Sequence, residues 1–531
     1  MKRIILSAIA AVATLTVSAQ IRLGEGQLSG SFETNSIYYV DDKGLGDAGT
    51  APDDHFGSNN YLKVDYTYGR FSAGLQADAY LPALQGYEIG EQIGARKFYL
   101  SSKYIRWQDD NFSVLVGDIF DQFGNGLVFR SYEDRQLGFN NSLEGISGSY
   151  RFGSYVALKA MYGRPRLYTD YASSWVRGAD LSISLGDIIG SSELQLSLEG
   201  SYVNRYESLD KDDMRDFASM GLNSPNLNIY SGRLNIDWNG LSLRGEYATK
   251  DKDLPSATSE QAVRGRAALA ELGYNHLGLS VGATFRMLDN MGTMLSLYGT
   301  GTGNALNYLP ALTRQYTYML ANLNPYQVNA EGEIGGQIDI YYLLRSKQER
   351  HRYWNLHANY STYYTLHGSQ SITGNRELLW QDINVDVERQ WNRRLKTTLL
   401  FSFQEWNPYH GYRHRTYVSN IFVADVTYKF DRTKAIRVEA QYLLSDEYEG
   451  DWVAGLVEFS VAPHWSVFFS DMYNIDKTKT NYYSGGFSYT KSRTRIQLSY
   501  GRNRAGYVCS GGVCRYSPAY TGLNLALTSS F

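Results

Sequence analysis

Apolar and polar residues alternate one for one along most of this chain. In residues 522–531, Leu523, Leu525, Leu527 and Phe531 fall on one face and Asn524, Ala526, Thr528 and Ser530 on the other, because successive side chains of a strand point to opposite sides. Leu234, Ile236 and Trp238 oppose Arg233, Asn235 and Asp237; after a turn at Asn239-Gly240, Leu241, Leu243 and Tyr247 oppose Ser242, Arg244 and Glu246. Ile383, Val385 and Val387 likewise oppose Asp382, Asn384, Asp386 and Glu388, and Ile436, Val438 and Tyr442 oppose Arg437, Glu439 and Gln441. Segments of about ten residues that alternate in this way between turns are the signature of a transmembrane β-barrel. The charges keep to one face, which would meet solvent in a soluble sandwich and the lumen in a barrel. A sandwich does not account for this many long strands running to a terminal Phe. The barrel reading therefore sets Arg244, Glu246, Asp382, Asp386, Glu388, Arg437 and Glu439 toward the lumen.

The connections alternate in length. Short turns are predicted at Gly69-Arg70, Asp109-Asp110, Gly153-Ser154, Asn239-Gly240, His276-Leu277, Asn392-Arg393, Asp431-Arg432 and Pro463-His464. Long connections fall between them near 41–59, 82–94, 119–141, 163–177, 207–227, 251–262, 290–327 and 503–516. Outer-membrane barrels have short periplasmic turns and longer extracellular loops, so this pattern sets an orientation. Counting from Gln27 gives about 24 strands, roughly 22–26, in an antiparallel up-and-down barrel with both termini periplasmic. Lys2 and Arg3, the apolar stretch from Ile4 to Val17 and the small residues Val17-Ser18-Ala19 have the layout of a secretory signal peptide over residues 1–19. Residues 20–531 are then one barrel domain in the outer membrane of a Gram-negative cell. The first strand starts too close to Gln20 to leave room for an N-terminal plug, which disfavours a TonB-dependent receptor.

Composition agrees. The chain has 45 Tyr, 21 Phe and 9 Trp, and a barrel places amphipathic rings in girdles at both membrane interfaces. Mean hydropathy is negative, which rules out a bundle of apolar helices but not strands with one polar face. Without Lys2 and Arg3 the chain has 49 basic against 54 acidic residues, so nothing favours nucleic acid. Cys509 and Cys514 are the only two cysteines. Export exposes them to an oxidising compartment, and the four residues between them, Ser510-Gly511-Gly512-Val513, turn tightly enough to predict a disulfide at an extracellular loop tip.

Two connections stand out. Residues 117–135 contain Gly117, Gly124 and Gly126, the aromatics Phe120 and Phe123, and the charges Asp118, Asp121, Arg130, Glu133, Asp134 and Arg135. One reading is a loop folded inward over 119–141, whose six charges set a field at a pore constriction; the other is a salt-bridged loop that braces the wall. Residues 290–327 are long and rather apolar, and Leu309, Leu312, Tyr316, Met319 and Leu320 have helix-like spacing. An amphipathic helix folded into the barrel mouth, or a partner-binding lid, is expected there.

The pattern Gly-Asp-x-Phe-x-Gln-Phe-Gly-x-Gly-Leu, then Arg-Ser-Tyr-Glu-Asp-Arg-x-Leu-Gly-x-x-Asn-Ser, over residues 117–142 resembles an uncharacterised family of Bacteroidota outer-membrane barrels. Tyr308-Leu309-Pro310-Ala311-Leu312-Thr313-Arg314-Gln315 and the Cys509–Cys514 loop are similar to its other recurring segments. The resemblance implies fold and location; the family has no assigned activity.

Catalytic signals are thin. The eight histidines are His55, His276, His351, His357, His367, His410, His414 and His464, and His410 and His414 alone have a ligand-like spacing, with no third ligand. Asp210, Asp212, Asp213 and Asp216 lack the glycine and glutamate of a calcium loop and read as a solvated charge run. No cofactor, metal or enzymatic activity is expected. A porin-like channel narrowed by inward loops is the first functional expectation. A non-enzymatic accessory barrel of a secretion or surface assembly is the second. The expected partners are the lipid bilayer, the barrel-assembly machinery acting on the strand that ends at Phe531, and other outer-membrane proteins.

Overall fold

The structure, a computed structural model, describes residues 21–92, 95–349, 351–368 and 374–531; the signal peptide expected over residues 1–19 lies outside them. One antiparallel sheet of 26 strands dominates, and two of these, Ile21–Leu23 and Asp170–Tyr171, are short extensions. The other 24 form the barrel. They are β1 (Gly26–Val40), β2 (Phe56–Tyr68), β3 (Phe71–Tyr80), β4 (Phe98–Gln108), β5 (Phe112–Ile119), β6 (Leu143–Phe152), β7 (Val156–Leu167) and β8 (Trp175–Ser184). Next come β9 (Leu194–Tyr206), β10 (Asn226–Trp238), β11 (Leu241–Asp253), β12 (Val263–His276), β13 (Leu279–Asp289), β14 (Gly332–Arg345), β15 (Tyr353–Thr365) and β16 (Leu378–Gln390). The last eight are β17 (Leu395–Trp406), β18 (Tyr417–Lys429), β19 (Lys434–Leu444), β20 (Trp452–Val461), β21 (Trp465–Asn474), β22 (Asn481–Lys491), β23 (Thr494–Asn503) and β24 (Tyr520–Ser530).

Each strand pairs with its neighbours in sequence, and β1 pairs with β24 from Ser31↔Ser530 to Val40↔Thr521. That last pairing closes the ring and removes both open edges. The backbone of Phe531 completes the seam, donating to the Gly30 carbonyl at 2.9 Å and accepting from the Gly30 N–H at 3.2 Å.

Local chemistry explains the turn end. Asn239 and Gly240 both have positive φ, as do Leu277 and Gly278, the backbone of a tight hairpin turn whose twist suits the strands. At other turns a side chain does the work. Asp109 accepts from the N–H groups of Asn111 and Phe112 at 3.0 and 2.7 Å, and Asp431 from those of Thr433 and Lys434 at 2.7 and 2.9 Å. These donors hold both carboxyls below their ordinary pKa.

The outer face is exposed and apolar, with Leu198, Tyr202, Tyr230, Leu234, Leu243, Tyr247, Phe285, Ile338 and Ile340 among its residues. Their strand neighbours Ser201, Arg233, Glu246 and Arg286 are buried inside. An apolar belt around a closed barrel fits a hydrocarbon solvent, not water.

Two loops differ from the sequence reading. The acidic run is part of a helix, Lys211–Ser219, capped by the Asp210 carboxylate, which accepts from the N–H groups of Asp212 and Asp213. The apolar stretch within 290–331 forms no α-helix; its one helical element is the 3-10 turn Thr302–Asn304. Gly299, Gly301, Gly303, Pro310 and Pro325 interrupt it. Its apolar side chains also go to separate sites on the wall, and a single helix face cannot serve them all.

Candidate functional site

The loop end of the lumen is filled by the barrel's own connections. Phe123, Leu127, Val128 and Phe129 join Met291, Leu295 and Leu306 in one apolar cluster against Leu115, Ile119, Leu143, Val176, Val203, Ile229, Ala267 and Leu288 of the wall from β5 to β13. The chain then crosses the lumen. Ala311 and Tyr326 pack on Tyr363, Leu379 and Trp380 of β15 and β16. Tyr316, Leu320 and Leu323 pack on Leu400, Ile421, Val423, Leu443 and Trp452 of β17–β20. Each buried Leu or Phe contributes about 1.5–3 kcal/mol, so several such contacts hold each loop.

A loop without regular structure leaves backbone groups that need partners when buried. Charged wall side chains supply them. Arg205 of β9 donates to the Met294 carbonyl at 2.6 Å and to Asp253 at 2.7 Å, and Lys250 of β11 donates to the Gly292 carbonyl. Arg286 of β13 pairs with Glu333 of β14 at 2.5 Å and donates to the Pro310 carbonyl. Glu333 also accepts from the Tyr326 hydroxyl and, at 2.8 Å, from the Asn329 N–H. Gln404 donates to the Ala321 carbonyl and Gln441 accepts from the Leu320 N–H.

The six loop charges do not converge on one constriction. Asp118 is 1% exposed, accepts from Ser142 Oγ and the Lys103 N–H, and faces Arg166 at 3.5 Å. Asp121 pairs with Lys159 at 2.7 Å. The Arg130 guanidinium lies between the rings of Tyr132 and Tyr308, 4.0 and 3.8 Å from their centroids, and so clamps the two long loops together. Glu133 accepts from Gln76 at 2.7 Å, and Asp134 accepts from the N–H groups of Gln136 and Leu137 in a turn. Arg135 pairs with Glu33 at 2.8 Å and lies over the Tyr61 ring.

The strand charges are paired too. Glu246 accepts from the Asn125 N–H and faces Arg233 at 3.8 Å, and Arg244 pairs with Asp237 nearer the turn end. Asp382 is buried and accepts from Ser361 and Asn384. Asp386 meets Arg314 of the loop at 2.5 Å and His357 at 2.7 Å. Glu388 pairs with Lys396 at 2.9 Å, and Arg437 with Asp425 and Glu439 at 2.9 and 2.5 Å.

Sequence reasoning missed the anchors Arg166, Arg205, Lys250, Arg286 and Glu333. For Arg205, Lys250 and Arg286 the signal was a long cation on the polar face near the loop end of its strand, but the loop carbonyl that each meets is not visible locally. It also missed His357, which has Asp386 on one ring nitrogen and Asp339, 3.2 Å away, on the other. His414 faces Glu377 at 2.6 Å. Among the described residues no group of three or more His, Cys, Asp or Glu is placed to hold a metal.

The Cys509–Cys514 disulfide ties a hairpin, Gly506–Ser510 paired with Val513–Ser517. It leans on the loops: Gly512 accepts from the Ala311 N–H at 2.9 Å, Gly511 accepts from the Tyr308 hydroxyl, and Arg515 lies 4.0 Å over the Tyr87 ring. Beside it the inner wall changes character. Ser484, Gly486 and Ser488 of β22, Gln497, Ser499 and Gly501 of β23, Asn524 and Ala526 of β24, and Ser31 and Asn35 of β1 carry small or polar side chains. A cavity of about 250 Å³ opens there, lined by Asn35, Gln497, Ser499, Asn524 and Ala526 on the wall and by Leu84, Tyr87 and Arg515 on the loop side. A second, of about 400 Å³, lies nearer the turn end between Lys63, Gln76, Ser102, Arg106 and Glu133. The mouth of this arc is pinned by Asp42, which accepts two hydrogen bonds from Arg502 at 2.7 Å and one from Thr521 at 2.6 Å. Arg502, then Thr521 and the Gly44 N–H, hold the Asp42 carboxyl down at about 2, against the opposing pull of partial burial.

A family model matches residues 1–531, the whole chain. The chain belongs to DUF6029, a family of unknown function. No curated protein matches this DUF6029 member in sequence. Among solved structures it is similar to the P pilus usher (PapC) translocation pore, with 9% identity and a TM-score of 0.44 over 95% of this chain and 99% of that one. It is also similar to the copper transporter OprC, with 9% identity and a TM-score of 0.41 over 96% and 81% of the two chains. A third is OccK8 (OprE) of Pseudomonas aeruginosa, with 13% identity and a TM-score of 0.40 over 79% and 98%. At these scores the fold of the DUF6029 barrel rests on its own strand pairings.

Proposed function

We propose that this barrel is an outer-membrane channel for small polar solutes, whose path runs along the closing seam from β22 through β24 to β1. The observation that carries the reading is the asymmetry of the inner wall. Loop side chains cover the wall from β5 to β13 and from β15 to β21 with apolar clusters, and Leu84, Tyr87 and Ile89 cover Tyr61, Tyr80 and Tyr99 of β2–β4. The seam keeps small polar side chains and a cavity. A wall of hydroxyl and amide groups substitutes for part of a solute's hydration without binding it tightly, as passage requires. We read the protein as non-enzymatic; both cysteines are held in the disulfide. In this reading the strand ending at Phe531 is the one presented to the barrel-assembly machinery.

Reconstitution of the purified protein in planar bilayers tests it. Discrete ohmic steps are expected, and silence at every voltage would overturn the channel. The thoroughly bonded loops favour one other reading, an accessory barrel sealed by its own connections that binds protein partners. A native pull-down from solubilised membranes that recovers a stoichiometric partner, together with bilayer silence, is its expected result.

A further inference from the structure

A separate concavity lies at the loop end, outside the seam. It opens between residues 323–327 of the crossing loop, Leu379 and Trp380 of β16, Trp406 of β17 with the following Asn407, Pro408 and His410, Tyr448 and Glu449, and residues 504–507 and 516 of the disulfide hairpin. Its volume is about 350 Å³, within the range of small-molecule sites, roughly 300–1,000 Å³.

The lining combines flat rings with a compact set of polar groups. Trp380 and Trp406 are register partners on adjacent strands. Tyr448 meets the edge of Trp406 at 5.3 Å and keeps 40% of its surface exposed. Glu449 and Arg504 form an ion pair at 2.8 Å, with side chains 24% and 14% exposed. Asn324 and Gln327 add amides, whereas the Asn407 amide is held by its own turn, donating to the Arg413 carbonyl and accepting from the Tyr409 N–H.

The backbone supplies an independent observation. Of the nine non-glycine residues with positive φ among those described, His410 (49°) and Tyr448 (54°) both border this crevice. Histidine adopts this region comparatively often, but for a bulky residue such as Tyr448 it is strained, and such strain persists where surrounding structure enforces it, often at binding sites.

We propose that this crevice binds a short neutral saccharide of one or two pyranose rings. A pyranose has a face of C–H bonds, which packs on the exposed Tyr448 ring, and a rim of hydroxyls. An ion pair sets an acceptor and a donor side by side, the complement of two vicinal hydroxyls: one donates to the Glu449 carboxylate and the other accepts from the Arg504 guanidinium. The two charges cancel, so the pair selects neither cations nor anions. A hydrocarbon ligand would bury the amides and the pair without hydrogen bonds, at a cost. A folded protein needs a patch of about 800 Å² per partner, wider than this cleft. The site goes beyond the channel reading and stands whether or not the seam conducts.

The test uses the full chain in a detergent without a sugar headgroup, titrated with maltose, cellobiose, mannobiose and, as a cationic control, tetramethylammonium. Tryptophan fluorescence and calorimetry report binding. At least one disaccharide is expected to saturate in the millimolar range or tighter. Tyr448→Gly removes the ring while accepting the positive φ, so the fold is retained; this variant and Glu449→Gln should each weaken binding ten-fold or more. Bilayer conductance of Tyr448→Gly should equal that of the parent, which keeps this test separate from that of the channel. No binding by any of the three sugars, binding unchanged in both variants, or tighter binding of tetramethylammonium than of every sugar would each overturn the proposal.

Discussion

The wall from β5 to β13 and the wall from β22 to β1 share the same alternation and differ in what the inward positions hold. The first carries Arg166, Arg205, Arg233, Lys250 and Arg286, all buried and ion-paired. The second carries mainly Ser, Gly, Asn, Gln and Ala. A charged inner wall is usually read as a pore lining, but here the charged wall is the occupied one. Arg205, Lys250 and Arg286 meet carbonyls of the crossing loop, Arg166 and Arg233 pair with carboxylates of the wall, and a long side chain with a fixed partner fills space. The seam has fewer such anchors, Glu33 of β1 with Arg135 of the loop among them, and keeps a cavity. In this barrel a run of inward charge marks where a loop is held, and the small polar stretch of the seam holds one cavity, while another, nearer the turn end, lies among Lys63, Arg106 and Glu133.

The largest effect that could break this contrast comes from the crossing loop itself. Replacing residues 295–325 with a short Gly/Ser linker should raise single-channel conductance several-fold, with heat-resistant gel migration as the check that the barrel still closes. Unchanged conductance would show that this loop does not narrow the lumen.

Arg286→Met should follow, because it leaves the Glu333 carboxylate buried without its cation. Removing one partner of a buried pair costs about 3–5 kcal/mol. The double substitution Arg286→Met/Glu333→Met should recover most of that loss in denaturant unfolding of the detergent-solubilised protein. Equal losses in the single and double variants would mean that the pair is not what anchors the loop.

On the open side, Ser499→Trp should at least halve the conductance. Ser182→Trp, on the inward face of β8, should leave it nearly unchanged. Reversal of that order would move the path to the charged wall.

The smallest effect concerns the pinned mouth. Asp42 has a folded pKa of about 2, below its unfolded value of about 4. Its stabilising pairing with Arg502 is therefore complete above pH 4 and lost as pH falls through about 2. Hydrogen exchange of residues 41–55 should accelerate over that window, and Asp42→Asn should show the faster exchange already at pH 7. Exchange independent of both pH and the substitution would mean that the loop is held elsewhere.

Much of the scaffold was legible in the chain. Alternation with period two, as in Leu234 to Trp238, marks strand faces because side-chain direction in a strand is local. The short turns at Asn239-Gly240, Asp109-Asp110 and Asp431-Arg432 were legible because Gly, Asn and Asp satisfy turn geometry within a few residues. Cys509 and Cys514 were within reach of each other by spacing alone. The path of residues 290–331 was not legible: their apolar spacing suited a helix, and packing against three separate stretches of wall prevailed over it.

By itself, then, the sequence determined an antiparallel barrel of about 24 strands, its lipid-facing side, its turns and its disulfide, all properties carried by neighbours a few positions apart. Only the tertiary structure decided which charge meets which partner. Arg205 finds the carbonyl of Met294 across 89 positions, and Asp42 finds Arg502 across 460. Ring closure brings β1 to β24, and the loops then take whatever route satisfies their buried backbone groups, so contacts of that range depend on the whole ring and cannot be read from any one strand.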